Sequence, residues 1–117
     1  MVEQWQSAPD DAELTGIFQA LADPSRRRVI ELLREAGELR VGDLAEAFSM
    51  SLNGVSKHLK VLEGAQLIER RIEGRAHFLR VNWTALQSAY QWLHFYHHYW
   101  SQRLDSLVDY VKQKGED

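Results

Sequence analysis

The chain has 117 residues, the length of one domain, and 44% of them are hydrophobic, which is enough for a single core. It contains no cysteine, which excludes disulfides, thiolate metal sites and thiol redox switches, and no apolar run of membrane-spanning length. The net charge of −3 is uneven, because residues 51–80 carry +3 and the remainder −6. A basic segment on an acidic body is expected of a DNA-binding domain, although ordinary surface patchiness would also produce it.

The amino-terminal residues 1–10 contain no basic region followed by an apolar stretch. No signal peptide is therefore predicted, and a cytoplasmic location with no membrane partner is expected. We expect residues 1–10 to be flexible, residues 11–82 to form a compact core, residues 83–112 to form one long helix of the same domain and residues 113–117 to be a loose tail.

Four helices are predicted in the first half of the chain from the spacing of its apolar residues. Asp23 can cap the second helix, and Pro24 is tolerated in the first turn because its missing N–H would have no helical partner. Ser49, Met50 and Ser51 form the turn before the fourth helix, which Ser51 can cap. The predicted helices cover about residues 11–22, 24–37, 42–48 and 52–64.

The fourth predicted helix has two distinct faces. One is an apolar stripe at helical spacing, consisting of Leu52, Val55, Leu59 and Leu62. The opposite face carries short polar or cationic side chains, of the types that contact phosphates and base edges, namely Asn53, Ser56, Lys57 and Lys60. This face is the strongest functional signal in the sequence.

Residues 67–81 predict two strands that meet at Glu73, Gly74 and Arg75. A helix with a polar outer face followed by a basic hairpin is the arrangement of a winged helix-turn-helix. We therefore predict a mostly α fold with a small β-hairpin, in the order α-α-α-α-β-β-α, that binds DNA. A plain structural corner between two helices is the alternative reading of the turn.

Three segments resemble the ArsR/SmtB family of bacterial transcription regulators. They are residues 18–33 (FQALADPSRRRVIELL), 41–46 (VGDLAE) and 55–62 (VSKHLKVL). The resemblance covers about residues 14–82. It implies a homodimeric winged-helix repressor that occupies a palindromic operator in double-stranded DNA.

The resemblance also implies the DNA contacts. It assigns the recognition helix to residues 52–62 and the wing to residues 73–75. The predicted DNA-binding residues are Asn53, Ser56, Lys57, Lys60, Arg75, Ser51 and Arg71. Metal-sensing members often hold a cysteine pair in the third helix, where this chain has Val41 to Ala45. A thiolate metal sensor is therefore not expected, and the sequence identifies no effector.

The predicted helix 83–112 carries an apolar stripe too long for the rest of a small domain to cover. Aromatic residues are enriched where two chains meet, so the stripe favours a homodimer over a helix that folds back on its own core. The predicted interface residues are Leu86, Leu93, Tyr96, Trp100 and Leu104.

Two alternatives to a simple repressor stay open. His94, His97 and His98 could bind zinc, nickel or copper, which would make the chain a metal-responsive repressor. The resemblance weakens this reading, because Asn82, Trp83 and Thr84 stand where some members have Asp-x-His. A winged-helix protein-interaction module is the other alternative, although the basic face of the fourth helix speaks against it. No catalytic constellation and no cofactor motif are visible, so the chain is not expected to be an enzyme.

Two local features have more than one interpretation. Arg26, Arg27 and Arg28 could bind phosphate, but successive residues point in different directions around a helix, and the resemblance suggests only a helix start. Gly54 could allow the DNA backbone to approach closely, or it could simply be tolerated in the first helical turn, since glycine in a helix costs up to ~1 kcal/mol relative to alanine.

Overall fold

The computed structural model describes residues 10–116, apart from the side chains of His98 and Glu116. Residues 10–89 and residues 90–116 form two compact units. The helices are α1 (Asp11–Leu21), α2 (Pro24–Ala36), α3 (Val41–Phe48), α4 (Leu52–Gly64), α5 (Trp83–Phe95) and α6 (His97–Glu116). The strands are β1 (Leu39–Arg40), β2 (Ile68–Glu73) and β3 (Ala76–Val81). The predicted winged helix-turn-helix is confirmed, and the segment 1–9, which was expected to be flexible, lies outside the described residues.

Side-chain caps fix the starts of three helices, and those by Asp23 and Ser51 are as predicted. The amide of Arg26 donates to the Asp23 carboxylate over 3.1 Å, and the amide of Gly54 donates to the Ser51 hydroxyl over 3.1 Å. The amide of Thr84 donates to the Asn82 side-chain carbonyl over 3.2 Å. Each cap supplies an acceptor to a first-turn amide that has no helical partner.

Within residues 10–89, one apolar core is shared by the helices α1, α2, α3, α4 and α5 and by the hairpin. Its largest fully buried side chains are Leu33, Leu44, Leu59, Leu62, Leu67, Leu79, Val29 and Val55. Ala89 of α5 belongs to the same core, and Leu86 packs partly against it. The core fixes one face of α4 and leaves the opposite face directed outward.

Leu52 is a correction to the sequence interpretation. It shares the helical spacing of Val55, Leu59 and Leu62, which are buried as predicted, but its own side chain is 58% exposed. Helical periodicity identifies the side of a helix and not how far along the axis the core extends. The first turn of α4 projects beyond the core.

The sheet contains a third strand that the sequence interpretation missed. Strand β3 lies between β1 and β2, and both neighbours pair with it in antiparallel orientation. The pairing places Arg40 opposite Phe78 on one side and Arg71 opposite Phe78 on the other. Two residues are too few for a recognisable alternation of apolar and polar side chains, which is why β1 was not predicted.

The turn between α3 and α4 contains no glycine, yet it uses a left-handed backbone. Ser49 has φ 54° and ψ 32°, a conformation in which an L side chain is disfavoured. The amides of Ser49 and Met50 donate to the carbonyls of Glu46 and Ala45, over 3.2 and 3.4 Å. These bonds close α3 and orient the start of α4.

The predicted single helix 83–112 is wrong in detail, because the structure interrupts it at Tyr96 and extends it to Glu116. The amide of Tyr96 donates to the carbonyl of Leu93, three residues back, over 3.0 Å. A bond to the third residue back closes a tighter turn than the bond to the fourth residue back in an α-helix. This turn separates α5 from α6. No glycine or proline marks the position in the sequence, so the break had no local signal.

Candidate nucleic-acid interface

The polar face of α4 is positioned by the burial of the opposite face. Because Val55, Leu59 and Leu62 are buried, Asn53, Lys57 and Lys60 are directed to the surface and are exposed, while Ser56 is half-buried. The Ser51 hydroxyl accepts the Gly54 amide and keeps its own O–H free to donate to an anion. Four predicted DNA contacts therefore lie along one outward face, and Ser51 caps its start.

The cations near this face fall into two groups according to their carboxylate partners. Within residues 10–116, Lys57, Lys60 and Arg75 form no ion pair. In the hairpin, Arg70 binds Glu63, and Arg80 binds Glu69. Arg71 binds both Glu38 and Glu73. Among the cations of residues 51–80, those without a carboxylate partner therefore lie on α4 and at the tip of the hairpin.

Arg71 is the predicted DNA contact whose guanidinium is bound most extensively by carboxylates of the chain itself. Its guanidinium donates to both Glu38 oxygens over 3.0 and 3.2 Å and to Glu73 over 2.6 Å. These carboxylates raise the pKa of Arg71 well above its usual value, with Glu38 contributing most. The guanidinium also lies 4.3 Å from the centroid of the Phe78 ring. A DNA phosphate would have to compete with both acids for it.

Arg70 connects the hairpin to the end of α4. It binds Glu63 through two nitrogens, over 3.2 and 2.7 Å, and lies 3.0 Å from Nδ1 of His77. The hydrogen-bonded Glu63 carboxylate raises the pKa of Arg70. A bidentate pair defines direction as well as distance, so this contact fixes the hairpin relative to the polar face of α4. The sequence interpretation missed it because Glu63 and Arg70 belong to different elements.

The tip of the hairpin is a tight turn of Gly74 and Arg75. Gly74 has φ 61°, which glycine adopts without steric cost, and the flanking residues Glu73 and Ala76 pair directly. Arg75 is exposed at the tip. The turn therefore extends one cation away from the body, as expected of a wing.

Arg26, Arg27 and Arg28 have structural roles in the fold. Arg26 donates to the carbonyls of Ala20 and Gln19, over 2.6 and 3.0 Å, and Arg27 donates to that of Leu21 over 2.7 Å. These carbonyls lie in the last turn of α1, where the usual helical donors four residues ahead are missing, although that of Gln19 also accepts the amide of Ala22 over 3.2 Å. Arg28 pairs with Glu31 on the surface. The structure thus favours the helix-start interpretation over a phosphate site.

Gly54 is not required by the packing of α4. A Cβ at this position would lie 3.4 Å from the Ser51 hydroxyl oxygen and 3.9 Å from Cβ of Met50, which are ordinary contact distances. The surroundings therefore accept alanine, and any need for glycine must come from outside the chain.

Asp23 combines a helix cap with a contact to α4. The hydrogen bond from the Arg26 amide holds the pKa of Asp23 below its usual value, and Nδ1 of His58 lies 3.9 Å from the carboxylate. A carboxyl group whose pKa is lower in the folded protein than in the unfolded chain stabilises the fold at pH values above its unfolded-state pKa. This stabilisation is lost as the pH falls through the pKa of the folded state.

We therefore expect Asp23→Ala to lower the urea midpoint at pH 7, and the deficit to shrink as the pH falls below 3.8. Asp23→Asn is the matched control, because asparagine caps helices about as well without a charge. It should keep the cap but lose the contribution of the charge, so its smaller deficit at pH 7 should disappear at low pH. A deficit of equal size at pH 7 and at pH 2 in Asp23→Ala would contradict the assigned role of the charge.

Residues 90–116 expose many large apolar side chains. They include the predicted interface residues Leu93, Tyr96, Trp100 and Leu104, together with Leu107, Val108 and Val111 of α6. Leu86, the fifth predicted interface residue, is instead half-buried against the core of residues 10–89.

The histidines of this segment are arranged as a stack. The rings of His94 and His97 are nearly parallel with centroids 5.5 Å apart, and the Tyr90 ring also stacks on His94, with the same centroid distance. His97 also lies 3.3 Å from the Ser101 hydroxyl. Among the described side chains, which exclude His98, no group of three potential ligands is placed to hold a metal ion.

The helices of residues 10–116 were also compared with the length and hydropathy that a membrane span requires, and none of them meets both.

Comparisons with known proteins identify the family. A family model described as a helix-turn-helix domain matches residues 21–71. The chain is 34% identical over 80 residues to the transcriptional repressor SdpR of Bacillus subtilis, covering 68% of this chain and 88% of that protein. It is 34% identical over 100 residues to the HTH-type transcriptional regulator Rv2034 of Mycobacterium tuberculosis, covering 86% and 90%.

A solved structure extends the agreement to three dimensions. The crystal structure of an ArsR family transcriptional regulator, 34% identical, superposes with a TM-score of 0.72 over 80% of this chain and 96% of that one. The segment matched by the family model, residues 21–71, includes α3 and α4. The chain belongs to the ArsR family of winged helix-turn-helix transcriptional regulators, which bind DNA and are not enzymes.

Proposed function

We propose that this chain is a homodimeric, sequence-specific repressor that inserts α4 of each protomer into the major groove of a palindromic operator and places the hairpin tip on the adjacent backbone. The observation that carries the proposal is the distribution of unpaired cations. Lys57, Lys60 and Arg75 are exposed without a carboxylate partner in the described part of the chain, whereas the other hairpin arginines are paired.

The proposed contacts divide into two kinds. Lys60, Arg75 and the Ser51 hydroxyl bind phosphates, and they supply affinity that does not depend on sequence. Asn53, Ser56 and Lys57 read base edges, since asparagine pairs with adenine and lysine with guanine in the major groove. Arg71 is a secondary phosphate contact, because it must first release Glu38 and Glu73.

The proposed dimer rests on the exposed apolar surface of residues 90–116. Leu93, Trp100, Leu104, Leu107 and Val111 follow one another at intervals of three, four or seven residues and are all exposed. This spacing places Trp100, Leu104, Leu107 and Val111 along one side of α6, where a second copy could cover them. Two copies related by a twofold axis would present two α4 helices, which matches a palindromic site.

The salt dependence of DNA binding tests the assignment of the phosphate contacts. Lys60→Ala and Arg75→Ala should each weaken binding to all sequences, because phosphates carry no sequence information. Each should also reduce the slope of log affinity against log salt by ~0.9 per lost phosphate contact, or about 1.8 in a symmetric dimer.

Arg80→Ala is the matched control for this measurement. Arg80 lies on the same hairpin and is exposed, but it is bound to Glu69 over 2.9 Å. Its removal should change the salt slope far less. Unchanged slopes in Lys60→Ala and Arg75→Ala, measured by fluorescence anisotropy over several salt concentrations, would mean that the DNA-binding face is misassigned.

We further propose that control of binding does not use thiolate-bound metal, since this chain has no cysteine. Arsenite, cadmium and lead should therefore not release the protein from its operator. Zinc tests the histidine alternative: release at sub-micromolar free zinc that disappears in a His94→Ala/His97→Ala double variant would establish a metal-responsive repressor instead. We expect no release, because the His94 and His97 rings stack rather than converge.

A further inference from the structure

Two apolar side chains are exposed at the start of α4. Leu52, the first residue of the helix, is 58% exposed, and Met50, in the preceding turn, is 37% exposed. Isolated apolar residues are common on protein surfaces. Here, however, the two are separated only by Ser51, the cap of α4, and Leu52 directly precedes Asn53.

The surrounding structure holds these side chains at the end of the helix. Leu52 follows the line of Val55 and Leu59, but it lies beyond the core that buries them. Met50 lies against the first turn, since its Sδ would be 4.0 Å from a Cβ at position 54. The result is a small apolar surface at the exposed amino-terminal end of α4, next to Asn53 in the chain.

In helix-turn-helix proteins, the amino-terminal residues of the second helix contact base edges in the major groove. The one apolar group on those edges is the C5-methyl of thymine. We propose that Leu52, supported by Met50, contacts thymine methyl groups next to the base pair read by Asn53, and so determines part of the operator sequence. This inference rests on the proposed function.

The chemistry around Leu52 favours DNA over an apolar protein partner. Asn53 is polar and exposed, and Lys57 and Lys60 continue along the same face without carboxylate partners among the described residues. A phosphate backbone neutralises these lysines while the groove brings bases to the end of the helix. An apolar protein surface would leave them unpaired at the contact.

Replacement of thymine by deoxyuridine isolates the methyl group, because it changes no hydrogen-bonding atom. The wild-type protein should lose about fourfold in affinity when uracil replaces the contacted thymine in one half-site, which corresponds to ~0.8 kcal/mol per buried methyl. The loss should reach about fifteenfold when both half-sites are changed. Leu52→Ala should bind the thymine operator more weakly and discriminate little between the two bases.

Val61→Ala is the matched control, because Val61 is an exposed aliphatic residue of the same helix, nine positions further from its start. It should keep the wild-type preference for thymine, and Met50→Ala should reduce this preference only partly. Binding to non-specific DNA should be unchanged in all three variants, which shows that they are folded.

Two results would overturn the inference. If the wild-type protein binds its operator but tolerates uracil at every thymine, or if Leu52→Ala keeps full discrimination, the methyl contact does not exist while the proposed function stands. If the wild-type protein selects no DNA sequence at all, the proposed function and this inference fail together.

Discussion

Replacing Trp100 by glutamate should convert the proposed dimer into a monomer of 13.6 kDa and weaken operator binding by about 10² to 10⁴-fold. Trp100 is 54% exposed within the chain, so the substitution leaves the fold of one protomer intact. In the proposed dimer its ring is covered, and a carboxylate there would lose its hydration without gaining a partner. Loss of the second protomer removes the effective concentration that links the two half-sites.

Sedimentation and DNA binding should be measured together for this variant. Gln102→Glu is the matched control, because it adds the same charge two positions away, outside the apolar series formed by Trp100, Leu104 and Leu107. It should remain at twice 13.6 kDa and bind its operator normally. A Trp100→Glu protein that sediments as a dimer would show that the interface lies elsewhere.

The largest loss of stability is expected from Leu59→Ala. Leu59 is 0% exposed and lies in the common core of residues 10–89, so truncation leaves a cavity beneath the recognition helix. Such changes cost roughly 2–5 kcal/mol in the free energy of unfolding. Urea unfolding at a fixed protomer concentration measures the effect, since dimer stability depends on concentration.

Leu52→Ala provides the comparison for this experiment. It removes the same side chain from the same helix at a position that is mostly exposed, so the free energy of unfolding should change by no more than about 0.5 kcal/mol. If the two variants unfolded at similar urea concentrations, the core described for α4 would be incorrect.

The elements of residues 10–89 were predictable because their signals are local. Asp23, Ser51 and Asn82 each cap the helix that follows them, and the apolar spacing of α4 identifies the buried side of the helix. The exposure of Leu52 was not predictable, because it depends on where other elements end. The short strand β1 depends likewise on a partner 40 positions away, since Leu39 pairs with Leu79.

The candidate site was predictable in composition and less so in electrostatics. Counting charges treats the six cations of residues 51–80 as equivalent. The structure separates them, because Arg70, Arg71 and Arg80 bind carboxylates on neighbouring elements, and the Arg71–Glu38 pair joins residues 33 positions apart. The interruption of the helix at Tyr96 is a feature of backbone hydrogen bonding within an aromatic segment. It could not be predicted, because no glycine or proline marks the position in the sequence.

Selection of bound DNA from a random pool by the purified protein tests the central claim most directly. A homodimer that reads DNA through α4 should recover two inverted copies of one half-site, with centres about one helical turn or a multiple of it apart. The recovered sites should compete strongly against unrelated DNA at physiological salt. Recovery of sequences without a shared motif, or of a single unrepeated half-site, would contradict the account.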